Sequence, residues 1–421
     1  MGKIVFEDQE IYSKLKKYSK TKKGHIITDT NYNFSQPDRY QSRIIVHNPK
    51  YYLRYLKNKE EKLFQLKEKI PKTFPYNLYH DLIQRIITNI GINILNIEYL
   101  TKYITFDDYI IKNKELHESL YPRLPQKLKN IFVSEWIQIL KIIHEFTKID
   151  IDKKYLSYDL YKTDEIGNIK VLINPECILL AQKSFLTSRE FSGQHIKQLI
   201  KQKMRDLGIP RKRYKFIFTE KHNLSVNSLR RSIRIPKIYH SNDFNLQKTI
   251  EHEVQGHIYR AYKSTRTKIN NSYFRINGLI TSYEEFLVEE GIATYVEDKV
   301  LEQYISEYLI NIKYYLRIIA LILAENYPVY FVYEYLENIK QFLNKARILN
   351  KTKNSTNQLL HRIYRGFALA QPGFINNKIN IYLFGNKVVR EYISNQDELE
   401  KLFESRRLNS EISIIIKNYK Q

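Results

Sequence analysis

Apolar residues recur at helical spacing through much of the chain between residues 50 and 160. Leu82, Ile86, Ile87 and Ile90, followed by Ile94, Leu95 and Ile97, are typical, and the pattern predicts a helical lobe. Residues 1–45 are polar and lack such a period, so they read as a loosely held basic N-terminal extension. Around Ile166-Gly167-Asn168 the pattern changes: Lys170-Val171-Leu172-Ile173-Asn174 reads as a short strand, and helical spacing resumes over Lys197 to Met204. Tyr214 to Thr219 and Ser232 to Pro236 alternate polar and apolar residues as half-buried strands do, which predicts an antiparallel sheet.

Asn245 offers an N-cap for a helix from Leu246 to Tyr262, and a second helix is expected from Glu284 to Leu301. The remainder reads as helical to about residue 370. Gln371-Pro372-Gly373 then marks a turn before Ile379 to Leu383 and a last helical stretch. The longest apolar run, Ile318 to Ala324, is far shorter than the roughly 20 residues a bilayer requires, so it predicts a buried helix and no membrane span. The fold class expected is α+β and predominantly helical, with a small antiparallel sheet.

Composition sets limits on these elements without changing them. Hydrophobic residues form 43% of the 421 and charged residues 27%, the balance of a folded globular chain. Lys and Arg number 69 against 45 Asp and Glu, a net charge of +24 that favours anionic partners such as an acidic peptide tail. The charge is spread along the chain. Its only short run is Arg211-Lys212-Arg213, so nucleic acid is not the partner expected. A single cysteine, Cys177, excludes an intramolecular disulfide framework and any multi-cysteine metal site. The N-terminal residues lack an apolar signal core, and Phe6 stands where a myristoylation motif requires Ser or Thr, so a cytoplasmic protein is expected.

The chemistry concentrates in His252-Glu253-Val254-Gln255-Gly256-His257, a His-Glu-x-x-x-His arrangement with one residue more than the usual zinc-peptidase motif. In a regular α-helix, side chains five residues apart diverge by about 140°, too far to hold one ion. A π-type turn, whose hydrogen bonds skip five residues, returns both imidazoles to one face, and Gly256 falls inside it. The other nine histidines read as core or solvated side chains. Some thirty residues on, Glu289-Glu290-Gly291 lies on a separate helix. Many zinc peptidases complete a two-histidine site with such a glutamate and leave the fourth position to water. Glu290 is the ligand expected, because Gly291 beside it permits close helix approach, with Glu289 behind it or facing solvent. The reading is thus zinc held by His252, His257 and Glu290, with Glu253 as general base.

These residues resemble the tyrosine carboxypeptidase family, whose members include the microtubule-associated tyrosine carboxypeptidase and bacterial proteins described by a QEGLA motif. The resemblance rests on His252, Glu253 and His257, on Glu289-Glu290-Gly291-Ile292-Ala293, and on the segments Arg260-Ala261, Arg362-Ile363-Tyr364-Arg365-Gly366, Gln371-Pro372-Gly373, Lys378 and Tyr382-Leu383-Phe384-Gly385. It covers residues 210 to 390. Ile379 and Ile292 depart from it, standing where members often have Asp and Leu.

The resemblance implies a catalytic domain over 46–421, with a helical lobe at about 46–160 and a zincin-like core at about 161–390. It also implies removal of a C-terminal Tyr or Phe from a peptide or protein tail. Arg362 and Arg365 are the candidates to grip the terminal carboxylate, since a guanidinium binds carboxylate two-pronged. The strand at Ile233 to Ile235 is a candidate to align an extended substrate by edge pairing. With 35 tyrosines, no single hydroxyl stands out to stabilise the oxyanion. Two alternatives remain: a zinc endopeptidase or aminopeptidase, and a basic nucleic-acid or filament-binding protein with a degenerate metal site.

Overall fold

A computed structural model of the chain describes residues 11, 13–15, 26–28 and 44–420, apart from 74–75, 166–168, 185–188, 211–212, 221–222, 228–230, 267, 270–271, 274–279, 281, 301, 303–304, 349–355, 366, 368–369, 371 and 405–409. Most of the N-terminal extension, the Ile166-Gly167-Asn168 break, Arg211-Lys212, Leu301, Gly366 and Gln371 therefore lie outside the described residues.

The chain is predominantly helical, with small sheets, as its patterning predicts. Helices α1 (Pro49–Glu68), α2 (Asn77–Leu100), α3 (Phe106–Leu120) and α4 (Gln126–Thr147) occupy the region read as a helical lobe. Asn48 caps α1 with its side chain, and Pro49 sits in the first turn, where its missing N–H costs nothing. Ile83, Ile87, Ile90, Ile94 and Ile97 form a buried stripe along α2 that packs on Tyr52, Leu56, Leu63 and Leu66 of α1 in an apolar cluster of its own. Each such Ile or Leu contributes about 1.5–3 kcal/mol when withdrawn from water. Helix α4 instead turns Phe132, Trp136 and Leu140 into the main core.

Helices α5 (Pro175–Ser184), α6 (Gly193–Asp206), α7 (Asp243–Ile250), α8 (Arg260–Arg266), α9 (Tyr283–Lys299), α10 (Ile312–Asn326), α11 (Val329–Lys345), α12 (Thr356–Ile363), α13 (Asn380–Tyr392), α14 (Gln396–Glu404) and α15 (Ser410–Lys420) follow. Residues Ile318 to Ala324 of α10 are apolar on every side and at most 1% exposed, because α4, α11 and α13 surround them. No helix among the described residues is long and apolar enough to cross a membrane.

Strands β1 (Ile26–Thr28) and β2 (Ile44–Val46) pair antiparallel, as do β3 (Arg189–Ser192) and, later in the chain, β7 (Ile238–Ser241). The two alternating runs expected to pair antiparallel form β4 (Lys215–Thr219) and β6 (Ser232–Pro236), and they run parallel, Lys215 opposite Ser232 and Thr219 opposite Pro236. Strand β5 (Ser225–Asn227) lies between them in sequence and pairs antiparallel on the far edge of β6, giving the order β4-β6-β5. Alternation specifies which face is buried but not the direction of the neighbour.

The Lys170 to Asn174 segment forms no strand. It lies extended over α4, where the Gln138 amide donates to the Ile169 carbonyl and accepts from the Val171 N–H at 3.0 Å, so one side chain replaces a neighbouring strand. The helix start also differs from expectation. Asn242, not Asn245, is the N-cap of α7, its side chain accepting from the Asn245 N–H at 2.7 Å.

Candidate metal centre

Between α7 and α8 the helix unwinds into a π-helical stretch, Glu251–Tyr259, which contains the whole motif. Hydrogen bonds one residue longer than those of an α-turn bring positions 252 and 257 round to the same side. The two imidazoles accordingly stand 5.0 Å apart, centre to centre, with their planes at 80°. Helix α9 supplies the third group. Ser282 caps it, accepting from the Glu285 N–H, and Glu284 and Glu285 in its first turn suit the positive end of the helix.

Close backbone contact sets the distance between the elements. A Cβ on Gly256 would stand 2.5 Å from Cα and Cβ of Ala293, and one on Gly291 would overlap the Gly385 carbonyl of α13. A Cβ on Gly385 would overlap the Leu287 carbonyl in turn. The sequence reading gave Gly291 this role and gave Gly256 a role in backbone freedom. Gly256 is also required because no side chain fits against Ala293.

This seam brings His252, His257 and Glu290 together, one ligand atom from each lying within 4.8 Å of the others. Glu290 Oε2 is 3.6 Å from His252 Nε2 and 3.8 Å from His257 Nε2. Zinc bonds of about 2.0–2.1 Å in a tetrahedron place neighbouring ligand atoms about 3.4 Å apart, so a small inward adjustment completes the set. Glu290 Oε2 is also buried without a hydrogen bond, a costly arrangement that a cation would relieve.

Both histidines are held from behind. The Nδ1 atom of His252 is 2.9 Å from Glu297 Oε2, and that of His257 is 2.9 Å from Glu289 Oε1. Each carboxylate is fixed in turn, Glu297 by Lys248 at 3.0 Å and by the Tyr314 hydroxyl at 3.3 Å, and Glu289 by the buried Arg260. Carboxylates behind ligand histidines fix the tautomer that offers Nε2 to a metal. Glu289, left between a place behind the ligands and solvent by the sequence, takes the former and is 2% exposed.

The electrostatics call for positive charge. Burial alone would lower the His252 pKa, yet Glu290 and Glu297 raise it well above the ordinary range, and Glu290 with Glu289 raises His257 against the same penalty. Burial would raise Glu297, but Lys248 and His252 hold it at about 2. Glu290 is likewise held low by His257, His252 and Lys378. A dication beside neutral imidazoles meets the same demand as added protons. Glu253 behaves oppositely. Burial lifts its pKa, opposed by the two histidines and by the Val226 N–H, which donates to Oε2 at 3.0 Å. A carboxylate tuned upward in this way suits proton transfer.

Several residues assigned no role from the sequence lie near the centre. Tyr382 has its hydroxyl pKa raised, first by the Glu290 charge, then by burial and by Glu253, so it stays a neutral donor facing the carboxylates. Tyr314 stacks on it at 5.5 Å. Of the two candidate arginines, Arg362 lies beside Tyr382 and Tyr314, its pKa lowered by loss of water and then by Arg317 and Arg365. Both arginines are exposed, and Arg365 acts there as a neighbouring like charge. Arg317 is the cation the sequence missed. Lys378 reaches Glu290 electrostatically while lying 4.9 Å over the Phe286 ring.

Strand β6 is flanked on both sides, so Ile233 to Ile235 has no free edge for a substrate. The edge beside Glu253 belongs to β5.

No family description, curated protein or solved structure matches this chain.

Proposed function

We propose that the protein is a zinc metallopeptidase with a zincin-like core, acting in the cytoplasm as a carboxypeptidase that removes a C-terminal aromatic residue from peptide or protein tails. The observation that carries the reading is the buried, unbonded Glu290 Oε2 facing two Nε2 atoms, each histidine backed by a carboxylate. Zinc, when bound by His252, His257 and Glu290, acidifies a water and polarises a carbonyl.

The chain's own groups do the rest. Glu253, with one carboxylate oxygen engaged by Val226, takes the proton of the attacking water and returns it to the leaving nitrogen. Tyr382, kept protonated, donates to the oxygen on which negative charge develops. Arg362, with Arg317 and Arg365 beside it, supplies cations for the terminal carboxylate within reach of Tyr382. These cations favour exopeptidase over endopeptidase action, and the resemblance to tyrosine carboxypeptidases points the same way. Strand β5 offers the backbone edge for the substrate chain.

The test pairs zinc content with a peptide ending in tyrosine and its C-terminally amidated twin. Wild type should hold one zinc, release tyrosine and spare the amide, and His252→Ala should hold none. Purified protein without zinc, or equal cleavage of both peptides, would remove the carboxypeptidase reading.

A further inference from the structure

Several arginines of this molecule lie against carboxylates. Arg260 pairs with Glu289, and Arg390 with Asp298, Glu302 and Glu307. Arg213, Arg231 and Arg266 do not, and among the described residues none of the three forms an ion pair. They come from three places: the turn leading into β4, the residue before β6, and the last turn of α8. The start of the parallel β4–β6 pair draws the first two together, the Lys215 N–H donating to the Arg231 carbonyl at 2.9 Å.

Two of them are anchored by neutral groups alone. The Arg213 guanidinium lies 4.9 Å from the Tyr262 ring centre and donates to the Thr265 hydroxyl at 2.6 Å, while that hydroxyl is itself committed to helix carbonyls at 2.8 and 2.9 Å. Arg266 lies 5.2 Å from the same ring and donates to the Tyr262 hydroxyl. Hydroxyls and a π-face fix direction without cancelling charge, so Arg213, half-buried, and Arg266, exposed, share one ring with no ion pair to either among the described residues. Arg213 registers the cost, its pKa lowered by burial first and then by Arg231 and Arg266.

We infer that Arg213, Arg231 and Arg266 form a binding site, separate from the metal centre, for a phosphoryl group of a small soluble molecule. Three guanidinium forks approaching from different elements match a tetrahedral, multiply charged oxyanion better than a planar carboxylate, which one or two forks satisfy. A nucleic-acid strand is the weaker fit, because Tyr214 and Tyr262 are only 6% and 7% exposed and leave no open ring for base stacking.

The test is titration of the full chain with inorganic phosphate against chloride at equal ionic strength, read by thermal stability and calorimetry. Phosphate should stabilise wild type saturably. Arg213→Gln and, separately, the exposed Arg266→Gln should each weaken it about tenfold while circular dichroism and zinc content stay unchanged. Phosphate no better than chloride, or equal binding in wild type and both variants, would overturn the site. Phosphate binding lost with the zinc but indifferent to the arginines would assign the anion to the metal centre instead. An oligothymidylate that binds through Arg213 and resists displacement by phosphate would replace the small ligand with a nucleic acid.

Discussion

Glu253 and the two carboxylates behind the histidines separate chemistry from metal retention. On the proposed mechanism, Glu253→Gln removes the proton acceptor while leaving the three candidate ligands, so zinc content should hold and turnover fall about 10²–10⁴-fold, checked by metal analysis beside tyrosine release. Glu297→Gln and Glu289→Gln should do the reverse first, weakening zinc affinity by about 10–100-fold in a competition with a chelator.

Lys313 gives a stability measurement at the same scale. Burial, then Lys248 and Arg317, push its pKa from 10.5 to about 8, against Glu297. A lysine whose folded pKa is depressed binds fewer protons folded than unfolded between pH 8 and 10.5, so its charge costs stability in full below pH 8 and the cost fades as pH rises to 10.5. Lys313→Met should therefore raise the melting temperature by about 2–4 °C at pH 7, with the gain shrinking toward pH 10.5.

That His252, His257 and Glu290 come together, with Glu253 near them, was legible because spacing and residue type suffice to name them. Glu297 was within reach, two helical turns beyond Glu290 on the same face of α9. The roles of Tyr382 and Arg317 were not, since nothing local marks one tyrosine or arginine as the one a fold will turn toward a carboxylate.

At the level of elements, the sequence disclosed what local physics decides and concealed what depends on distant partners. The buried stripe of α2 and the π-turn over Glu251–Tyr259 follow from spacing alone. The parallel β4–β6 pairing and the position of β5 on the edge depend on which strand returns to which side, so the antiparallel expectation failed there. The extended Lys170 to Asn174 segment looked like a strand because a side-chain amide, invisible as a partner in sequence, meets its backbone groups. The seam of α9 against its neighbours gives the sharpest expectation at this scale. Gly256→Ala, although alanine favours helix, should destabilise the fold by about 1–3 kcal/mol in chemical denaturation and lower zinc affinity, because Ala293 must move.

Across the whole molecule, the charge of +24 favours anionic partners, and under the proposed function that partner is an acidic peptide tail. Capture of a tyrosine-ended acidic peptide should then lose efficiency as salt rises, with kcat/KM falling while kcat holds, whereas a neutral peptide should show little slope.

The contact of Gly256, Gly291 and Gly385 with neighbouring backbone also bears on how such a protein can change over time. Because the spacing of the elements that carry His252, His257 and Glu290 is set by main chain touching main chain, the outer faces of those helices are released from any duty to hold it. Surface and loop residues are then free to be rewritten while the cradle formed by the triad keeps its dimensions, provided that those few positions stay without a side chain.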